Sequence, residues 1–356
     1  MKRIFVLLLV LSVAGFSFAN GTQEKAGAKG GAGKWRIALS NNYAANSWRQ
    51  QMLRDWKGIT DLAKSQGLIA EGPAFTTNGT DAAEQAAQIQ NLILEGYNAI
   101  VINAASPTAL NGAIDKAVAA GVKIVSFDQM VDHPAAYKLH TDFVYDGAYQ
   151  IMYLAKRFTT GNLLEIRGLP GTSGDQDMHD GIVSESKKYP GMKIVGSVVG
   201  KWDEATAQKE VAGLLPSLPK VDAVVDQGGD GYGAVMAFKA AGLPIPIVLM
   251  GHRYDELSIW KKMRDENGYE TSSVTIPPST CQIGFWVALE VLNGTDIPKD
   301  MKLPPSVITA DRLDYFLKNT REGGVATLPY PLKWVQDLIK ANKEGTPYPA
   351  DPEPAY

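Results

Sequence analysis

Apolar and polar positions follow two periods along this chain, and the periods take turns. Trp35-Arg-Ile-Ala-Leu-Ser40 reads as a strand, and Ser47 to Gln66 then places Trp48, Met52, Trp56, Ile59 and Leu62 at helical spacing until Gly67 ends the run. A second helix is expected from Thr80, a possible cap, to Glu95, with Ala83, Ala86, Ile89, Leu92 and Ile93 on one stripe. Asn98 to Asn103 is apolar without alternation, as expected of a parallel strand covered on both faces. A helix at Pro107 to Ala120 and a strand at Val122 to Phe127 follow. After Asp142 the order repeats: helix Gly147 to Phe158, strand Asn162 to Arg167, helix Gly181 to Tyr189, strand Lys193 to Val199. It continues with helix Asp203 to Leu215, strand Ala223 to Asp226, helix Gly231 to Ala241 and strand Ile245 to Met250.

Repeated βα units of this length specify parallel sheets with right-handed crossovers. One open sheet rarely holds so many strands, so the pattern predicts an α/β protein of two lobes, the first ending near His140 and the second starting near Asp142. A later helix at Ile283 to Leu292 and a strand at Ser306 to Thr309 have no lobe of their own. They complete the first lobe if the chain crosses back, and several crossings make a hinge. The expected division is residues 35–141 plus 279–308 for the first lobe and 142–278 plus 309–345 for the second, with a tail at 346–356. Asp311 to Thr320 and Trp334 to Asn342 read as short helices, and the Pro-rich last ten residues read as extended or disordered.

The N-terminus adds a location. Lys2 and Arg3 precede an apolar run from Phe5 to Val13, and Ser17-Phe18-Ala19 supplies small residues for cleavage: a secretory signal peptide over residues 1–19. The run is shorter than the roughly 20 residues of a membrane span. Residues 20–34 read as a flexible leader of Gly, Ala and Lys. The product is expected to be periplasmic or otherwise extracytoplasmic. With 45% hydrophobic and 21% charged residues it can fill a large core. The formal net charge of −3 becomes −5 once Lys2 and Arg3 leave, which argues against nucleic acid as a partner. One cysteine, Cys281, allows no internal disulfide.

In parallel sheets ligands bind beyond the carboxyl ends of the strands. The loops there hold Asn41 to Arg49, Asn103 to Ser106, Asp128-Gln129, Gly168 to His179, Lys201 to Asp203, Gln227 to Tyr232 and His252-Arg253. They are rich in amides, carboxylates, Arg and Trp. Sugar hydroxyls donate and accept, which suits such groups, and an indole suits the apolar face of a sugar ring. A nucleophile paired with a base is missing from these loops. Gly228 to Gly233 is not a phosphate-binding fingerprint. The four histidines, His133, His140, His179 and His252, lack metal-ligand spacing, and no metal or cofactor is expected. Plainer readings stand beside the functional ones: Trp48 and Trp202 as packing, Arg49 as a solvated helix residue, Asp128 and Asp230 as turn residues, and Arg253 as a surface partner of Asp255 or Asp230.

Several of these stretches together resemble the type I periplasmic solute-binding proteins of the ribose, galactose and galactofuranose group. The resemblance runs from Trp35 to about Gly294. It rests on Ile37-Ala-Leu, Asn46-Ser-Trp48-Arg49, Gly121-Val-Lys-Ile-Val-Ser-Phe-Asp128, Thr141-Asp142, Gly168-Leu-Pro-Gly171-Thr172-Ser173 and Trp202-Asp203 in this order and spacing. Its Trp-Arg pair is most similar to the galactofuranose binder. The resemblance implies two Rossmann-like lobes joined by a three-crossing hinge. It also implies ligand contacts from Asn46, Trp48, Arg49, Asn103, Asp128 and Gln129 on one lobe and Trp202, Gln227, Asp230 and Arg253 on the other. Trp48 and Trp202 would sandwich a monosaccharide or polyol. The partners implied are the membrane permease of an ABC importer and, as an alternative role, a chemoreceptor. Three departures bear on the second lobe: Met178 where many relatives carry Arg, Arg253 where many carry Asp, and Gly228-Gly229-Asp230 in place of Asn-Asp. They suggest that Arg253 replaces the lost donor. An exported α/β enzyme and a regulator's effector domain share the fold class, but the first needs a catalytic pair and the second a DNA-binding helix pair.

Overall fold

A computed structural model describes residues 35–78, 81–170 and 172–352. The expected signal peptide and leader, the Thr80 cap, Gly171 and residues 353–356 lie outside the described residues. The first half of the chain forms β1 (Trp35–Asn41), α1 (Ser47–Ser65), β2 (Ile69–Glu71), β3 (Ala74–Thr76), α2 (Ala82–Leu94), β4 (Ala99–Asn103), α3 (Asn111–Ala119), β5 (Lys123–Phe127) and β6 (Tyr137–Thr141). Next come α4 (Phe143–Ala155), β7 (Thr160–Arg167), α5 (Ser173–Ser186), β8 (Gly191–Val199), α6 (Glu204–Leu214), β9 (Ala223–Val225), α7 (Gly231–Ala240), β10 (Ile247–Val248), α8 (Tyr254–Asn267) and β11 (Ser273–Thr275). The chain ends in α9 (Thr280–Leu292), β12 (Asp300–Leu303), β13 (Ser306–Ile308), α10 (Leu313–Asn319) and α11 (Leu332–Glu344).

The strands form two parallel sheets, as the βα alternation requires. The first runs β12-β6-β5-β4-β1-β2, with β3 also beside β1. The second runs β10-β9-β7-β8. Their residues alternate between two apolar layers: Ala99 and Val101 of β4 join one core, Ile100 and Ile102 the other. In the second sheet Leu164 and Val224 face one layer, Leu163 and Val225 the opposite one. Covering both faces explains why these strands show no polar alternation.

β12 returns to the first sheet beside β6, and α9 packs on β4 and β5. Past residue 279, then, a strand and a helix belong to the first sheet and its cover. Between the sheets, β11 and β13 pair antiparallel. The placement of 309–345 in the second lobe is corrected. α10 packs on α8, but α11 packs on α9 and β12, because its Trp334, Val335, Leu338 and Ile339 bury into the core that holds Trp286. The segment from Arg321 to Tyr330 thus makes a fourth passage between the two halves, one more than the three crossings expected. Two residues of the tail are held: Trp334 Nε1 donates to the Ala350 carbonyl at 2.7 Å and Ser306 Oγ to Asp351 at 3.2 Å.

Two helices begin earlier than their glycines suggested. Asp142 caps α4 through Tyr145 N, and Thr172 caps α5 through Asp175 N. Gly147 and Gly181 lie inside these helices, where the two cross. A Cβ on Gly147 would lie 2.0 Å from the Met178 carbonyl oxygen, and one on Gly181 2.1 Å from that of Val144. They are contact points between backbones rather than helix starts. The reading also missed β2, β3, β6, β11, β12 and α8. The strands among these are three to five residues long, too short for a period to register.

Candidate functional site

The loops at the carboxyl ends of both sheets face each other across a cavity of about 380 Å³. On the first-lobe side, Asn46 caps α1, its Oδ1 accepting from Arg49 N at 2.8 Å while its Nδ2 donates to the Tyr43 hydroxyl at 2.7 Å. That cap turns the first helical turn so that Trp48 and Arg49 reach the cavity. Arg49 is only 4% exposed. Its guanidinium pairs with Asp128 Oδ2 at 3.0 Å, donates to Asn41 Oδ1 at 3.2 Å, and lies 5.3 Å from the ring centres of Tyr43 and Trp48. The reading of Arg49 as a solvated residue is therefore excluded. Asp128 directly follows β5, and Asn103 Nδ2 donates to its Oδ2 at 3.0 Å. Burial pushes the Asp128 carboxyl above its ordinary range, and the Arg49 charge opposes that shift.

The second-lobe wall is built around Trp202. Gly168 has no Cβ because one would meet the Trp202 ring at 2.3 Å. Trp202 and Lys201 have φ of 56° and 60°, and Asp128 has 55°. These are the three non-glycine residues in left-handed backbone among the described residues, and all three line the cavity. Such strain of about 1–3 kcal/mol per residue persists only where surroundings enforce it. At Trp202 the enforcement comes from Arg253: its Nη2 donates to the Trp202 carbonyl at 2.7 Å, and its Nη1 to the Gly229 carbonyl at 3.1 Å. Gly229 has φ +89°, and a Cβ there would strike the Arg253 guanidinium at 2.7 Å. Behind this loop, Glu256 accepts from the backbone N–H groups of Gly229, Gly231, Gly251 and Arg253.

Eight of the ten residues singled out in the sequence line the cavity: Asn46, Trp48, Arg49, Asp128, Gln129, Trp202, Gln227 and Arg253. Asn103 and Asp230 do not, and these two expectations are corrected. Asn103 is fully buried behind Asp128 and orients it. Asp230 is fully buried, and no hydrogen bond reaches its carboxyl oxygens. Burial and then the nearby Glu256 charge push it well above the usual carboxylate range. Three roles also change. Trp48 Nε1 is committed to the Ile276 carbonyl at 3.0 Å, leaving its ring for the cavity. Gln227 is a strut, accepting from Gly168 N and donating to the Asp175 carbonyl, both at 2.9 Å. Arg253 pairs with neither Asp255 nor Asp230; its terminal nitrogens go to the Trp202 and Gly229 carbonyls, with Glu204 Oε1 3.9 Å from Nη1. Tyr43 lies in the expected Asn41 to Arg49 loop, and the cavity residues that were missed include Phe143, Ile276 and Val325. Val325 carried no local signal. It arrives on the fourth passage, where it bridges Arg253 and where Ala326 N donates to the His252 carbonyl at 2.7 Å.

His252 is 2% exposed, and burial lowers its pKa to about 3. Ser273 Oγ donates to the Gly251 carbonyl, so it accepts from His252 Nδ1 at 2.6 Å. The ring is thus a neutral Nδ1–H tautomer. A folded pKa below the unfolded value of about 6.5 means that the unfolded state binds the extra proton. His252 should therefore contribute stability that is complete above pH ~6.5 and lost progressively down to pH ~3, at up to about 1.4 kcal/mol per unit. Urea titrations of the native chain and H252Q at pH 7 and 4.5 measure this. The native chain should lose about 2–3 kcal/mol more than the variant over that interval, and equal losses refute it. Among the described residues no cluster of His, Cys, Asp and Glu could hold a metal ion, and no helix is long and apolar enough to cross a membrane.

The profile of the periplasmic binding protein domain matches residues 37–296. The chain is similar to a xylitol-binding protein of Mycolicibacterium smegmatis, 28% identical over 74% of this chain and 75% of that protein. It is 28% identical to a D-ribose/D-allose-binding protein of Pseudomonas aeruginosa, over 78% and 89% of the two chains. Among solved structures, an ABC transporter solute-binding protein from Thermobispora bispora superposes with a TM-score of 0.78 at 36% identity, covering 90% of this chain and 99% of that one. With two parallel sheets opening onto one shared cavity, the chain belongs to the periplasmic binding protein family.

Proposed function

We propose that this protein captures a sugar or sugar-like polyol outside the cytoplasm and presents it to the membrane permease of an ABC importer. One observation carries the reading: the cavity sets a hydrogen-bonded, buried Arg49–Asp128 pair against the ring of Trp202. A carboxylate and guanidinium answer hydroxyls, and an indole covers the less polar face of a ring. The relatives named for xylitol and for ribose and allose support the ligand class, and the Lys2 to Ala19 segment supports export. Binding rather than turnover is the activity proposed, since among the described residues lining the cavity none is a nucleophile held by a base.

The two sheets carry separate lobes in this reading. The passages at 141–142, 275–280, 308–313 and 320–331 form the hinge, and ligand favours the closed state by touching both walls. Small-angle scattering checks this. The radius of gyration should fall when a cognate sugar, found by a thermal-shift screen of pentoses, hexoses and polyols, reaches saturation. An unchanged radius at saturation refutes closure.

A further inference from the structure

The two walls of the cavity differ in chemistry. The first-lobe wall presents Asn42, Asn46, Arg49, Asp128 and Gln129 together with the rings of Tyr43 and Trp48. The opposite wall is formed by Phe143, Leu169, Met178, Trp202, Ile276 and Val325. Its polar groups are largely engaged already. Both ends of the Gln227 amide bond backbone, and both terminal nitrogens of Arg253 hold carbonyls. Thr172 Oγ1 donates to the Leu169 carbonyl at 2.9 Å. Lys201 is exposed at the edge, the Thr275 hydroxyl is within reach, and the nearly buried His252 also lines the cavity with its Nε2 unpartnered. A ligand hydroxyl pressed against most of this wall loses water and gains no partner, which is unfavourable. One indole suffices for the apolar face of a sugar ring. The remaining apolar side chains are more than that face requires. Met178 and Val325 are 3% and 4% exposed, so this surface lies deep, whereas Leu169 is 46% exposed and continues it to the rim.

We propose, on the basis of the sugar-binding reading above, that the natural ligand is a sugar or polyol bearing an apolar substituent, an alkyl or aryl glycoside. Its hydroxyls face Arg49 and Asp128. Its substituent lies along Met178, Val325 and Leu169. Trp202 covers the junction between the two parts.

Calorimetry on the full processed chain tests this with matched probes: free xylose, ribose, glucose and galactose against their methyl and phenyl glycosides. For whichever sugar core binds, the phenyl glycoside should bind at least about tenfold tighter than the free sugar, with the methyl glycoside between them. M178Q should narrow that gap to less than about threefold, and V325T, which keeps the side-chain shape, should narrow it in the same direction. Thermal melting verifies that each variant folds, and either variant alone suffices if the other does not. A free sugar that binds as tightly as its glycosides overturns the proposal and leaves the sugar-binding reading intact. A gap that both variants leave unchanged also overturns it, because the substituent then lies elsewhere. Failure of every sugar and glycoside to bind removes the sugar-binding reading, and this proposal with it.

Discussion

Replacing Arg49 by Met should abolish measurable sugar binding and lower folding stability by about 3–5 kcal/mol, because Asp128 then stays buried without its counter-charge. Asn103 alone would remain on its Oδ2. Asp128, already pushed upward by burial, would take up a proton, which caps the penalty. Removing both partners should therefore hurt folding less than removing one. R49M/D128L should recover much of the lost stability while binding stays absent. Denaturant titration and calorimetry on the single and double variants separate the two effects. A single variant within about 1 kcal/mol of the native chain would mean that the pair is solvated and screened in solution.

The second large effect concerns Arg253, which reaches ligand through the loop it holds. R253M should weaken binding by about tenfold or more, the scale of losing hydrogen bonds from a charged donor. It removes the bonds to the Trp202 and Gly229 carbonyls that keep Lys201 and Trp202 in left-handed backbone. R253K keeps the charge but presents a point donor rather than a fork, so it should rescue little. Amide hydrogen exchange gives the readout that simple loss of a ligand contact would not move: exchange at residues 200–203 should accelerate in the ligand-free variant. Unchanged exchange together with weaker binding would make Arg253 a direct contact, and unchanged affinity would remove it from the site.

Much of this could be read from the residues. Asn98 to Asn103 announced a strand covered on both faces, and the βα alternation on either side of Asp142 announced two parallel sheets. The rule that ligands sit beyond strand ends selects the loops of the cavity from the sequence, because in parallel sheets those loops all emerge on one edge. The helical period of α1 was legible because burial on one side of a long element repeats often enough to register, whereas α9, buried on nearly every side, showed as an apolar run. α8 was legible in principle, since Leu257, Trp260 and Met263 recur every third residue and are buried, but its polar surroundings diluted the signal.

What the chain alone determined, then, was which segments bury and in what order, since apolar spacing reports burial along an element. Only the tertiary structure decided where each polar atom points. Asn103 and Asp230 sit at strand ends like Asp128 and Gln227, yet they lie behind the cavity rather than in it. Arg253 sits in a site loop, yet its fork is closed on the carbonyls of residues 24 and 51 positions away. Gly147 and Gly181 look like helix starts until α4 and α5 are seen to cross there. Val325, more than seventy residues past the Arg253 it bridges, became a cavity wall because the C-terminal segment returns between the lobes to bury α11 against α9. Hydrogen bonds and close backbone contacts join residues that are far apart in the chain, and no local period encodes them.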